Sequence, residues 1–109
     1  MRILVTGAAG FLGFAVCREL AGRHEVHGVW RRRPFAWPGV TAHQGDLTDE
    51  AAVDELWTAV RPEGVIHCAA LAQPNLCQQD PGLSRRLNVE LPGRMAERCA
   101  EAGARLVFT

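Results

Sequence analysis

A chain of 109 residues holds one domain at most and can bury roughly two thirds of the surface its unfolded form exposes. Its apolar share of 48% and charged share of 22% are those of an ordinary globular protein, and twelve basic residues balance twelve acidic ones, which excludes an electrostatic footprint for nucleic acid or an anionic membrane. No apolar run approaches bilayer length and the opening residues lack a signal-peptide layout, so the chain reads as cytoplasmic.

Arg2 to Thr6 is a short β-branched apolar run that stops at Gly7, which predicts a buried strand. From Phe11 to Ala21 the spacing turns helical, with Leu12, Ala15, Val16 and Leu20 expected inward, Arg18 and Glu19 outward, and Gly22 as the C-cap. Glu25 to Trp30 is the second strand. Arg31 to Gly39, with three arginines, two prolines and a glycine, is a loop. Val40 to Gln44 is the third strand, and Gly45-Asp46-Leu47 turns the chain.

Thr48 is placed to cap a helix from Asp49 to about Val60, whose Val53, Leu56, Trp57 and Val60 fall at i, i+3, i+4 and i+7. Pro62 and Gly64 end it, and Val65 to Cys68 is a fourth, buried strand. A polar loop follows from Ala69 to Gln79. Asp80-Pro81 then opens a helix running to Ala102, which Pro92 should kink or split by displacing the carbonyl of Asn88. Ala104 to Thr109 is the fifth strand.

Alternating strands and helices imply an α/β fold: a doubly wound parallel sheet of Rossmann type with strand order 3-2-1-4-5, cut off after the fifth strand. The whole chain, 1–109, is then the N-terminal part of an NAD(P)-binding domain. Ligands of such sheets bind beyond the carboxyl ends of the strands, at the switch point between the first and fourth.

Gly7, Gly10 and Gly13 stand between the first strand and the first helix, where each has a separate task. Gly7 makes the tight turn, Gly10 lets a diphosphate approach the backbone, and Gly13 lets the helix lie close on the strand. The N–H groups near Phe11 and Leu12 then face the phosphates with the helix dipole behind them. A glycine turn needed for packing alone is the bland alternative.

A site that prefers NAD usually carries an acid at the end of the second strand, about 20 residues past the glycines. Here the sequence reads Val29-Trp30-Arg31-Arg32-Arg33, with no acid, and arginine forks suit a 2′-phosphate. NADP(H) is therefore expected over NAD(H), against the alternative of a solvated basic loop. Asp46 can accept from an adenine amino group or can simply form its turn. His67 reads as a core histidine, the single serine, Ser84, lies inside a helix pattern, and His24, His27 and His43 have no metal spacing.

Cys17, Cys68, Cys77 and Cys99 contain no Cys-x-x-Cys pair and read as reduced structural thiols. More restrictive are two absences. The chain has no tyrosine, and all its basic residues are arginines, so these residues cannot carry a Tyr or Lys acid–base step.

Thr6-Gly7-x-x-Gly10-x-x-Gly13, Gly45-Asp46-Leu47, His67-Cys68-Ala69-Ala70 and Asn88-Val89 together resemble the extended short-chain dehydrogenase/reductase family. Within it the likeness is greatest to the dTDP-4-dehydrorhamnose reductase branch, which includes the non-catalytic regulatory β subunit of methionine adenosyltransferase. Arg31-Arg32-Arg33-Pro34, Val65-Ile66-His67-Cys68-Ala69-Ala70 and Leu87-Asn88-Val89 resemble that subunit particularly. The resemblance implies that Gly7, Gly10, Phe11, Leu12 and Gly13 hold the diphosphate. It implies also that Arg31 and Arg32 meet the 2′-phosphate, Asp46 and Leu47 flank the adenine, and Ala69, Ala70 and Leu71 line the ribose and nicotinamide side.

The family's catalytic set, a Ser/Thr after the fifth strand and a later Tyr-x-x-x-Lys, is not among these residues. The implied function is the NADP(H)-binding segment of a reductase that passes hydride to a nucleotide-sugar ketone, with Tyr as proton donor. An epimerase or dehydratase of the same superfamily and a non-catalytic NADP(H)-binding regulatory subunit are the alternatives. The partners implied are a dinucleotide and a nucleotide sugar, with a homodimer allowed and no nucleic acid or membrane. Loop 69–79, with Gln73, Pro74, Asn75, Gln78 and Gln79, lies on the substrate side of the inferred sheet.

Overall fold

The computed structural model describes residues 1–68, 82 and 90–108. In chain order they form β1 (Arg2–Thr6), α1 (Phe11–Leu20), β2 (Glu25–Trp30), β3 (Val40–Gln44), α2 (Glu50–Val60), β4 (Gly64–His67), α3 (Leu91–Ala102) and β5 (Arg105–Phe108). The five strands make one parallel sheet in the order β3-β2-β1-β4-β5, as the alternation of elements requires. β1 lies at the centre, with Thr6 in register with Val29 on one side and His67 on the other.

The sheet separates two apolar layers, because successive side chains of a strand point to opposite faces. Ile3, Val5 and Val26 face α1 and pack with Ala8, Cys17 and Phe35. Leu4, Val29 and Val65 face the other way, against Val53, Leu56 and Val60 of α2 and Leu91, Met95 and Cys99 of α3. A fully buried Leu or Val side chain contributes about 1.5–3 kcal/mol, so a sheet covered on both faces explains the near-continuous apolar runs of β1 and β4. Ion pairs between α2 and α3, Arg94 with Glu50 and Arg98 with Asp54, cross the solvent side of this layer.

The sequence pattern misplaces several local features. Leu12 is not an inward residue of α1: it is 47% exposed, and the buried positions are Gly13 and Cys17. Gly13 lies against the Gly7 turn, and Cys17, with the partly buried Phe14, Val16 and Leu20, faces the apolar layer. α1 ends at Leu20 with Ala21 as its C-cap, and Gly22 takes the following turn at a φ of 87°.

The cap of α2 is Asp49 rather than Thr48. The Asp49 carboxylate accepts the Ala51 N–H at 3.0 Å, while the Thr48 hydroxyl donates to Asp46 Oδ1 at 2.6 Å. At the other end Arg61 adopts a left-handed conformation, φ 48°, and its N–H closes on the Trp57 carbonyl at 2.8 Å before Pro62 stops the helix. β4 and β5 each differ from the expected bounds, running Gly64–His67 and Arg105–Phe108. α3 runs Leu91–Ala102 with Pro92 in its first turn, and the kink expected through the carbonyl of Asn88 falls outside the described residues. The earlier part of that expected helix, with Asp80-Pro81, Ser84 and Asn88, lies outside the described residues. No helix among the described residues is long and apolar enough to cross a membrane.

Candidate functional site

The carboxyl ends of β1, β2 and β3 bring three sequence-separated segments together. After β1, Gly7 turns the chain at a φ of 67°, a left-handed conformation that a side chain would strain. The Gly7 carbonyl accepts the Gly10 N–H at 3.0 Å, and Ala8 donates to the Val29 carbonyl at 3.0 Å, which ties the turn to β2. Gly10 is the N-cap of α1 and offers no side-chain acceptor. The first N–H groups of the helix, at Phe11, Leu12 and Gly13, have no intrahelical acceptor and are set toward an anion.

Gly13 is required by contact rather than by dihedral. A Cβ there would lie 2.0 Å from the Gly7 carbonyl oxygen, so turn and helix can be this close only without a side chain. The outer side of the turn is open, with Phe11 97% exposed.

Beside the turn is a cleft of about 70 Å³ lined by Gly7, Trp30, Arg31, Asp46, Leu47 and Leu91. Arg31 Nη2 lies 4.0 Å from Asp46 Oδ2. The other carboxylate oxygen of Asp46 accepts both the N–H of Thr48, at 2.9 Å, and its hydroxyl. Asp46 therefore forms its turn with Oδ1 and keeps Oδ2 on the side of Arg31. Leu47 lines the cleft from a largely buried position in the core, and Arg32 is exposed beyond Arg31.

Of the residues singled out in the sequence, Gly7, Gly10, Phe11, Leu12 and Gly13 form one continuous turn, and Arg31, Asp46 and Leu47 meet Gly7 in one cleft. Ala69, Ala70 and Leu71 lie outside the described residues. Leu91 was not singled out. It lies far along the chain at the start of α3, and no local motif marks it as facing the end of β3.

At the switch point, Thr6 Oγ1 lies 2.7 Å from Nδ1 of His67 and accepts the N–H of Cys68 at 3.0 Å. Burial pushes the His67 imidazole below its ordinary pKa, and the Phe108 ring stands edge-on to it at 6.1 Å. A buried, neutral, hydrogen-bonded ring is a structural histidine, in line with the reading of its sequence context. Burial, and secondarily the nearby Cys68, pushes the Cys17 thiol up to about 11, and burial raises that of Cys99. These are inert thiols; Cys77 lies outside the described residues.

A larger concavity, about 420 Å³, opens at the opposite end of the sheet around Met1, Arg2, Trp57, Arg61 and Arg105. It adjoins the amino ends of the strands, away from the helix N-terminus and the turn. Arg2 is engaged there by Glu63, at 3.6 Å, and by the Arg61 carbonyl, at 2.9 Å. The smaller cleft is therefore the better candidate. Among the described residues no group of three His, Cys, Asp or Glu side chains could hold a metal ion.

The cradle fits a dinucleotide on the chain's own geometry, namely an uncapped helix N-terminus behind a turn that a Cβ would fill, with a guanidinium beside it. The model of the NAD dependent epimerase/dehydratase family matches residues 3–109. Methionine adenosyltransferase 2 subunit beta of Pongo abelii is 36% identical over 110 residues, which are 98% of this chain and 31% of that protein.

The crystal structure of UDP-glucose 4-epimerase from Thermus thermophilus, a complex with NAD, is 32% identical with a TM-score of 0.87, over 99% of this chain and 37% of that one. A hypothetical dTDP-4-dehydrorhamnose reductase from Sulfolobus tokodaii is 28% identical with a TM-score of 0.85, over 99% of this chain and 38% of that one. The chain thus spans about a third of the length of these relatives.

Proposed function

The chain belongs to the NAD dependent epimerase/dehydratase family, and from that premise we infer that it is a dinucleotide-binding segment whose cofactor is NADP(H). The observation that carries the choice of dinucleotide is Arg31. It follows β2 where an NAD site would have an acid, and it lines one cleft with Gly7, Asp46 and Leu47. In this reading the N–H groups of Phe11, Leu12 and Gly13 bind the diphosphate, and Gly7 and Gly10 keep the backbone bare for it. Arg31, with Arg32 outside it, pairs with the 2′-phosphate, and Asp46 Oδ2 and Leu47 take the adenine side. Ala69, Ala70 and Leu71 would continue the site toward the nicotinamide.

NADP(H) supplies a hydride at the nicotinamide. The chain's own part is to bind and orient the dinucleotide, since with neither Tyr nor Lys it has no residues for the family's acid–base pair. The whole protein is accordingly read as a nucleotide-sugar reductase whose proton donor lies outside these residues. Likeness to the hypothetical dTDP-4-dehydrorhamnose reductase of Sulfolobus tokodaii supports that reading.

A second reading, a regulatory subunit that holds NADP(H) without turning it over, is favoured by the 36% identity to methionine adenosyltransferase 2 subunit beta. The test of the shared claim is titration of the chain with NADPH and with NADH. Tighter binding of NADPH, lost in Arg31→Ala, supports it; equal affinity for the two dinucleotides overturns it. Oxidation of NADPH by a dTDP-4-keto sugar, measured on the whole protein, then separates reductase from regulator.

A further inference from the structure

We propose that Phe35 and Trp37 are positioning residues that set the dinucleotide selectivity of this chain, by stapling its arginine loop to the helix that carries the phosphate turn. The inference rests on the reading of Arg31 as the contact to the 2′-phosphate. By composition, residues 31–39 are an unstructured basic connection. In the structure they are pinned at two points.

Phe35 is 6% exposed, although Pro34 and Ala36 on either side are exposed. Its ring rests on bare backbone: a Cβ on Gly28 of β2 would come within 3.0 Å of Phe35 Cε1. Phe14 of α1 meets it edge-on, with ring centroids 5.8 Å apart at 80°. Trp37 meets the same Phe14 ring at 5.3 Å and 81°. One aromatic side chain of α1 is therefore held by both loop aromatics.

The backbone reinforces the staple. The Trp37 carbonyl accepts the Val40 N–H at 3.1 Å, and Pro38 with Gly39 at a φ of 84° occupies the central positions that a type II turn demands. Pro34 disfavours a helical Arg33, and the chain bends at Arg31 to Arg33 between the end of β2 and Phe35. Residues 31–34 thus span between two fixed points, the end of β2 at Trp30 and the buried ring of Phe35.

α1 is the element whose N-terminus forms the Gly10–Gly13 turn. The aromatic staple therefore makes the arginines and the diphosphate turn parts of one rigid body. NADPH uses both parts, whereas NADH has no 2′-phosphate for the arginines to meet. Ordering the arginines before the ligand arrives removes a cost that NADPH alone would bear, about 3- to 10-fold in affinity.

The experiment measures dissociation constants of NADPH and NADH for the wild-type chain, Trp37→Ala, Trp37→Phe, Arg31→Ala and the double variant Trp37→Ala/Arg31→Ala. Trp37 is partly exposed, at 36%, so its truncation leaves the core in place, and a thermal melt of each variant checks this. Trp37→Ala is expected to weaken NADPH about 3- to 10-fold and to leave NADH within about twofold, while Trp37→Phe keeps the selectivity. The double variant should bind NADPH less weakly than the two single losses combined would give, because Trp37 acts through the arginines and only Arg32 remains for it to position.

Equal weakening of both dinucleotides by Trp37→Ala, or an effect that adds fully to that of Arg31→Ala, overturns the staple and leaves the role of Arg31 standing. A wild-type chain without preference for NADPH, unaffected by Arg31→Ala, overturns the reading of Arg31 and the staple with it.

Discussion

The hydroxyl of Thr6 lies 2.7 Å from Nδ1 of His67, and this buried pair joins the carboxyl ends of β1 and β4 where the strand order reverses. The same oxygen accepts the N–H of Cys68, so one side chain satisfies a ring nitrogen and a backbone donor at the end of a buried strand. Thr6→Val keeps the shape and removes the hydroxyl. Leaving buried polar groups without that partner costs about 1–3 kcal/mol, and urea unfolding should show a loss of that size. Thr6→Ser, which keeps the oxygen, should lose distinctly less.

The same pair predicts how stability responds to acid. Burial lowers the pKa of His67 in the folded chain below the ordinary value of 6.5. Below that value the unfolded chain takes up a proton that the folded chain refuses, so stability is full above about pH 6.5 and falls as the pH drops toward the folded pKa. The slope is at most about 1.4 kcal/mol per pH unit for this residue.

His43 contributes in the same sense. Its pKa is lowered by burial and then by His27, whose Nδ1 lies 2.9 Å from His43 Nε2 while Glu25 holds the other ring nitrogen of His27. Thermal melts between pH 7.5 and 5.5 should show the fall, and His67→Gln should flatten it. A wild-type melting temperature that rises on acidification would contradict this account.

Gly13→Ala tests the closeness of turn and helix. Its Cβ would meet backbone, the Gly7 carbonyl oxygen at 2.0 Å and carbon at 2.7 Å, so the turn must open. The expected cost is roughly 1–3 kcal/mol or more. NADPH and NADH should both bind more weakly, since both would use the turn. Gly93→Ala is the control: a Cβ there meets nothing within 4 Å, and in α3 it should stabilise by up to about 1 kcal/mol.

The start of α2 distinguishes two adjacent residues that can both cap a helix. Asp49→Ala removes the acceptor of the Ala51 N–H and should cost about 1 kcal/mol in chemical unfolding. Thr48→Ala leaves that cap intact and instead takes the hydroxyl donor away from Asp46 Oδ1, so its effect should appear mainly in dinucleotide affinity.

Most of the architecture was legible because its signals are local. A β-branched run stopping at Gly7, the i, i+3, i+4, i+7 spacing of α2 and the glycine turn each declare an element and its neighbour, and the parallel sheet follows from their alternation. The arrangement of the candidate site was legible only where its parts are contiguous or end a strand. Gly7 to Gly13 is one contiguous motif, and Arg31 and Asp46 each follow a strand.

Pairings between distant residues were not. Thr6 and His67 stand 61 positions apart, and nothing near either names the other. Leu12 was expected inward because apolar spacing weighs bulk, whereas the approach of Gly13 to the Gly7 turn leaves Leu12 outside, with Cys17 facing the core. Phe35 sits among prolines and arginines with no periodicity, so its burial appears only once Gly28 and Phe14 are assembled around it. Asp49 rather than Thr48 caps α2, and the Thr48 hydroxyl is engaged by Asp46, a contact that the spacing of the cap does not announce.

The central claim, that Arg31 makes this an NADP(H) site, is tested most directly by calorimetric titration of the chain and of Arg31→Ala with NADPH and NADH at fixed ionic strength. A charged hydrogen bond contributes about 1.5–3 kcal/mol, so the substitution should weaken NADPH by about 10- to 100-fold and leave NADH nearly unchanged. Equal losses for the two dinucleotides, or a wild-type chain that binds NADH as tightly as NADPH, would contradict it.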